Sequence, residues 1–255
     1  MSRRTLKQLI YGSFYLAILF LIVYGIYFSG FKAAPTCFDN KKNQGETGID
    51  CGGPCQSCEF KNLKEITHST VRIFSVDKTT SALIVVQNPN TNLGADKFNY
   101  ELSFYDSGGE QIFSLTNDSF IYPGETNKYI AEINLDVEYD KITQTDFKIS
   151  GEVWKLAGEF PAPKTSTREV KTEFDSVKKQ IVVSGILVNE NPYGLPRAAV
   201  GAIFMSNLGI EIGVSKTLLT DVASFEERPF KIVLPAKDKT DFDLNETNVF
   251  VETRR

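Results

Sequence analysis

From Gln8 to Phe31 the chain carries no charged residue, and most positions are Leu, Ile, Tyr, Phe, Val or Ala. About 20 such residues cross the hydrocarbon core of a bilayer. Lipid offers the backbone no partner but itself, so a single span of this kind is restricted to helix. The run lacks proline, and its glycines, Gly12, Gly25 and Gly30, are of a type membrane helices tolerate. Tyr24, Tyr27, Phe28 and Phe31 fit an interfacial aromatic belt at the far end. A cleaved signal peptide is the rival reading, but its apolar region is about 7–15 residues long. Here the run is longer, and Ala33-Ala34-Pro35 puts a proline where the cut would fall. The expectation is an uncleaved single-pass anchor in the cell membrane. Arg3, Arg4 and Lys7 hold the N-terminus in the cytoplasm, which places everything beyond Phe31 outside.

Those three cations account for all the charge before Lys32, leaving 25 basic against 32 acidic residues beyond the run. An acidic exterior region of this kind excludes nucleic acid as a partner, because binding it needs a concentrated basic surface. All four cysteines lie between Cys37 and Cys58. In an oxidising exterior they are expected to form two disulfides. The cysteine-free remainder must then fold on apolar cores alone.

That remainder is patterned for strands. Tyr100, Leu102 and Phe104 alternate with polar residues, and an apolar residue recurs at every second position in Tyr129, Ala131, Ile133 and Leu135, which is the period of a half-buried strand. Asn88-Pro89-Asn90, Asp106-Ser107-Gly108-Gly109 and Tyr122-Pro123-Gly124 punctuate the pattern as turns. Shifted by 101 positions, the chain overlays itself without a gap: Val85-Val86-Gln87-Asn88 meets Ile186-Leu187-Val188-Asn189, and Tyr129, Ala131 and Ile133 meet Phe230, Ile232 and Leu234. The fold class expected is mainly β, with two tandem immunoglobulin-like antiparallel β-sandwiches of about seven strands each. The predicted organisation is a cytoplasmic tail 1–7, a transmembrane helix 8–31, a cysteine-rich module 32–62, sandwiches at 66–155 and 167–255, and a short stiff linker 156–166.

The stretch VVQNPN…FNYELSFYDSGGEQI…YPGET…YIAEI resembles the FxLYD family of bacterial extracellular β-sandwich domains, through Leu102, Tyr105, Asp106, Gly108 and the Pro123-Gly124-Glu125 turn. The second copy departs from it: Met205-Ser206-Asn207 stands for Phe104-Tyr105-Asp106, and Ala223-Ser224-Phe225 for the Pro-Gly turn. The resemblance implies a fold and an exterior location, and carries no catalytic residues. The cysteine cluster is similar to a bacterial surface motif, C-x-D-G-x-x-N-x-x-E-x-x-x-D-C-G-G-x-C-x-x-C, with Asn40 in place of its first glycine. That resemblance likewise implies location more than activity.

Physically, the cluster admits several readings. A zinc site would use Cys37, Cys51, Cys55 and Cys58 as thiolates, but the spacing is not the usual pairing and an exterior disfavours free thiols. A redox pair at Cys55 and Cys58 lacks the surrounding βαβ pattern. Two disulfides are preferred, with the pairing left open. Calcium is a candidate cofactor, because Asp39, Asn43, Glu46 and Asp50 offer oxygen ligands in one constrained loop. The alternative is that these side chains cap the loop's own turns.

Nothing assembles an active site. His68 is the sole histidine, and neither a phosphate-cradling glycine motif nor a nucleophile elbow occurs. One segment, 198–205, is apolar on both faces, as in a strand covered on both sides. By the overlay, Val200 and Phe204 replace the outward-facing Asn99 and Ser103, which predicts cover from the linker, the first sandwich or a partner protein. The chain is thus expected to be a non-catalytic, membrane-anchored envelope protein whose sandwiches meet an envelope or surface protein. A passive stalk or accessory subunit of a membrane complex is the alternative, and a hydrolase stands third.

Overall fold

The computed structural model describes residues 3–31, 36–239 and 241–255. The chain divides into two compact units, Met1–Asn62 and Leu63–Arg255.

The first unit opens with helix α1 (Arg3–Ile26), which continues as a π-helical turn over Tyr27–Phe31. Ser29 contributes there by donating from Oγ to the Gly25 carbonyl at 2.8 Å. None of the residues of α1 is buried. The helix is long and apolar enough to cross a membrane. Residues 32–35 of the expected module lie outside the described residues. From residue 36 the unit consists of tight turns and a short 3-10 helix at Cys58–Asn62.

The second unit is all β. Its first half comprises β1 (Thr67–His68), β2 (Arg72–Val76), β3 (Thr79–Gln87), β4 (Leu93–Tyr105), β5 (Gln111–Ile121), β6 (Lys128–Leu135) and β7 (Gln144–Leu156). Its second half comprises β8 (Thr165–Asp175), β9 (Gln180–Asn189), β10 (Leu195–Ser206), β11 (Glu211–Val222), β12 (Glu227–Pro235) and β13 (Phe242–Arg254). All pairings are antiparallel. In the first sandwich β3 is flanked by β6 on one side and by β1 and β2 on the other, and β4 by β5 and β7. In the second, β9 lies between β12 and β8, and β10 between β11 and β13. One long strand, β8, with a bulge between Arg168 and Lys171, takes the place of both β1 and β2. The second copy therefore has six strands among the described residues rather than seven.

Each sandwich encloses its own core. Phe98, Tyr100, Leu102 and Phe104 of β4 meet Ala82, Ile84 and Val86 of β3 in the first. Val200, Ala202 and Phe204 of β10 meet Ile181, Val183 and Leu187 of β9 in the second. The overlay is therefore not gapless. Asn88 and Asn189 are equivalent, since each bridges two backbone carbonyls through Nδ2, to Leu93 and Tyr122 in one copy and to Tyr193 and Ala223 in the other. The loop that follows is one residue shorter in the second copy, so Ala95 corresponds to Leu195 by its pairing at the sheet end. A one-residue slip exchanges the two faces of a strand. Val200 and Phe204, 0% and 2% exposed, are thus core residues equivalent to Tyr100 and Phe104, and the expectation that they form a partner-contact surface is corrected.

The linker is not a free spacer. Phe160 is buried against Tyr122, with ring centroids 4.6 Å apart, and Gly94 makes room for it. Lys164 is clamped by Asn191 through both its N–H and its carbonyl, as Lys64 is by Asn90. Trp154, the chain's one tryptophan, packs against the first core.

Candidate functional site

Two places concentrate interacting polar groups: the disulfide module in the first unit and the joint between the sandwiches in the second.

In the module, Cys37 pairs with Cys55 and Cys51 with Cys58, an interleaved connectivity. All four cysteines are oxidised, so neither a thiolate zinc site nor a free Cys55/Cys58 dithiol exists here. Closing a loop over the separation of 18 residues from Cys37 to Cys55 is worth about 3 kcal/mol in the chain-entropy model, a large share for so small a unit. The acidic residues face inward to the backbone. Asp50 accepts from the Asp39 N–H at 3.0 Å and the Asn40 N–H at 2.9 Å. Glu46, 5% exposed, accepts from the Asn43 N–H at 3.3 Å and the Asp50 N–H at 3.1 Å. Asp39 accepts from the Asn43 amide at 2.8 Å and the Lys41 N–H at 2.9 Å. The Asn43 bond, with the Lys41 N–H behind it, holds the Asp39 carboxyl below the usual carboxylate range.

These contacts answer the calcium question. Among the described residues, Asp39, Glu46 and Asp50 do not gather their carboxylates within 4.8 Å of one another. The group that does lie within that distance, Cys37, Glu46 and Cys55, contains both sulfurs of one disulfide. Glu46 Oε1 lies 3.1 Å from Cys55 Sγ, a contact without a proton to share. Calcium binding needs converging free oxygens. Here the carboxylates cap N–H groups, so the set Asp39, Asn43, Glu46 and Asp50 does not fit the ion. Asn40 takes φ +57, the left-handed backbone expected of the glycine it replaces.

The joint was only half visible in the sequence. The face of β10 opposite its core carries Ile203, which packs with Val214 of β11 against Phe74, Leu83 and Ala131 of β2, β3 and β6. Tyr129, Met205 and Phe250 line the same cluster, with the Tyr129 and Phe250 rings 4.9 Å apart. The doubly apolar segment of β10 is therefore covered by the first sandwich. The matching signal was Ser81-Ala82-Leu83-Ile84-Val85-Val86, equally continuous, in β3.

Polar ties ring this apolar centre. Arg72 pairs with Glu211, and Lys216 donates to the Ala131 carbonyl beside Glu132. Tyr122 donates to the Thr253 carbonyl at 2.8 Å, and Arg254 to that of Asp96 at 2.6 Å. Lys128, almost wholly buried, lies 3.2 Å from Glu252 and 3.6 Å above the Phe120 ring. A groove of about 550 Å³ runs along this edge past Tyr100, Asn117, Arg197 and Glu252. The Tyr100 hydroxyl and the Asn117 amide that line it are committed to buried Glu132, Tyr100 donating its hydroxyl and Asn117 its amide at 3.4 Å. Burial, then the Glu132 charge, pushes the Tyr100 phenol far up, so it stays neutral as a donor. His68, on β1, is exposed and turned to the Ser69 carbonyl at 2.9 Å, with its ring against Phe147.

Magnitudes say which interactions hold the joint. A buried Phe, Leu, Ile or Val contributes about 1.5–3 kcal/mol, against about 0–1 for a surface ion pair. The apolar cluster dominates and the charges set register.

No family model matches the chain, and no curated protein does either. Among solved structures, the N-terminal CBM22-1-CBM22-2 tandem domain of Paenibacillus barcinonensis Xyn10C is similar over 74% of this chain and 85% of its own, at 7% identity and a TM-score of 0.15. A TM-score that low carries no argument about fold or function.

Proposed function

We propose that the chain is a non-catalytic single-pass membrane protein, N-terminus cytoplasmic, that presents two rigidly joined FxLYD-like β-sandwiches outside the membrane for protein interaction or scaffolding. The observation that carries this reading is the apolar joint formed by Phe74, Leu83, Ala131, Ile203 and Val214. It fuses the tandem into one body that offers outer surfaces rather than a hinged cleft. The disulfides suit an oxidising exterior, and the wholly exposed apolar helix suits lipid. Asp106, one of the residues that carry the FxLYD resemblance, serves the fold, and Ser206 fills its place in the second copy. Asp106 accepts from the Gly108 and Glu110 N–H groups, and Ser206 does the same for Leu208 and Ile210.

The test is topology and partner recovery together. An N-terminal epitope should stay with alkali-washed membranes in a full-length chain, and protease added outside should remove only the residues beyond Phe31. Release of a shortened chain from the membrane overturns the anchor. The same rigidity favours the stalk reading as a second choice. Purification in mild detergent separates the two, because a scaffold co-elutes with a stoichiometric envelope protein and a spacer elutes alone.

A further inference from the structure

We propose that the disulfide module docks on the surface of the bilayer that its own helix crosses, seating Phe38 and Ile49 among the lipid headgroups. The proposal rests on the membrane-anchored reading above. Phe38 is 90% exposed and Ile49 56% exposed. The fold brings their chain segments together at one corner of the module: the N–H of Asp39, next to Phe38, bonds to the carboxylate of Asp50, next to Ile49. Three lysines belong to the same module. Lys41 follows three residues after Phe38, Lys42 is exposed beside it, and Lys61 donates its ammonium to the Ile49 carbonyl. The nearby acids, Asp39 and Asp50, are turned onto backbone N–H groups instead of outward. Exposed apolar side chains with lysines in the same small module match the two layers of a bilayer interface, acyl boundary below and phosphate above.

The tether selects the bilayer as occupant. Phe38 stands seven residues beyond Phe31, the end of the apolar run. An extended chain covers at most about 3.6 Å per residue, so Phe38 is held within roughly 25 Å of the hydrocarbon edge. Short tethers give effective concentrations on the order of millimolar, which populates a contact too weak to form between free partners. A corner of two apolar side chains is far smaller than a stable protein–protein interface, whereas a bilayer demands no matching shape. The stapled backbone adds rigidity, so insertion orders little that is not already ordered.

The experiment uses the full chain with Trp154→Phe and Phe38→Trp, reconstituted in vesicles of phosphatidylcholine and phosphatidylglycerol, with both disulfides verified by mass. Flotation with the vesicles comes first, and a chain that does not float fails the anchored reading rather than this one. In floating chains the expected result is blue-shifted emission from position 38, quenching by bromine-labelled lipid, and protection from aqueous iodide. Protection should fall when Lys41→Glu and Lys42→Glu are added. A tryptophan placed instead at Val177, which is 89% exposed, gives the value for a side chain in water. Iodide quenching at position 38 equal to that control overturns the proposal. So does protection from iodide without quenching by brominated lipid, which would mean that protein covers the corner.

Discussion

Gly53 has φ +60, and a Cβ there would lie 2.5 Å from the Gly45 carbonyl oxygen. Gly48 is as tightly placed, with the Cys51 sulfur 2.7 Å from any added Cβ. A left-handed L-residue costs roughly 1–2 kcal/mol before any clash. Gly53→Ala should therefore let the module's disulfides be reduced at lower dithiothreitol, read by alkylation and mass. In the second unit, Glu125 accepts the Tyr122 N–H at 2.9 Å while burial pushes its carboxyl up, Lys128 pulling the other way. A raised folded-state pKa means that this group supports the fold below the ordinary carboxylate range and loses that support as pH rises through the raised value. Glu125→Gln keeps an acceptor and removes the charge. Its melting temperature relative to the unsubstituted chain should rise as pH increases from about 4 through the ordinary carboxylate range and above it. A difference that is flat with pH would contradict the burial argument.

Among the elements, β10 carries the most information. Its core face is Val200, Ala202 and Phe204, and its other face meets the first sandwich. Gly201 sits on that second face because the Phe250 ring occupies the space, 2.1 Å from where a Cβ would be. Gly201→Val should destabilise the second unit by about 1–3 kcal/mol through overpacking, measured by denaturant titration. The turns follow the same logic. Gly124 (φ +66) donates its N–H to the Asn90 carbonyl at 2.8 Å, and Phe225 (φ +55) donates to that of Asn191 at 3.2 Å. Gly124→Ala should cost about 1 kcal/mol, while Phe225→Gly should be neutral or mildly stabilising. Thermal melts of both variants test the pair.

At the scale of the whole second unit, the copies have diverged in complementary ways. The Ile203–Val214 cross-strand pair that meets the first sandwich is Ser103–Ser114 in the first copy. The Leu83–Ala131 pair that receives it is Ser184–Lys231 in the second. Unlike sheets of the repeat therefore meet, a head-to-tail contact that could in principle continue into a filament. Polar residues on the two remaining faces end the stack at two sandwiches, as capping repeats do in solenoids. Residues 63–255 should accordingly melt in one calorimetric transition, with matching calorimetric and van't Hoff enthalpies. Ile203→Ser with Val214→Ser, the pair the first copy already carries, should split it into two.

The sequence by itself determined the apolar helix, the mainly β architecture, the repeat and the clustering of all four cysteines. These follow from composition and period, which act locally along the chain. Only the tertiary structure decided three further matters. It chose one disulfide pairing of the three that four cysteines allow. It turned Asp39, Glu46 and Asp50 onto backbone N–H groups, where spacing alone had suggested a cation site. And it set which face of β10 points inward, because a single residue missing from the asparagine loop reverses the phase of the strand that follows it. Periodicity shows that a strand has two faces, but the register of its neighbours is what assigns each face to a core.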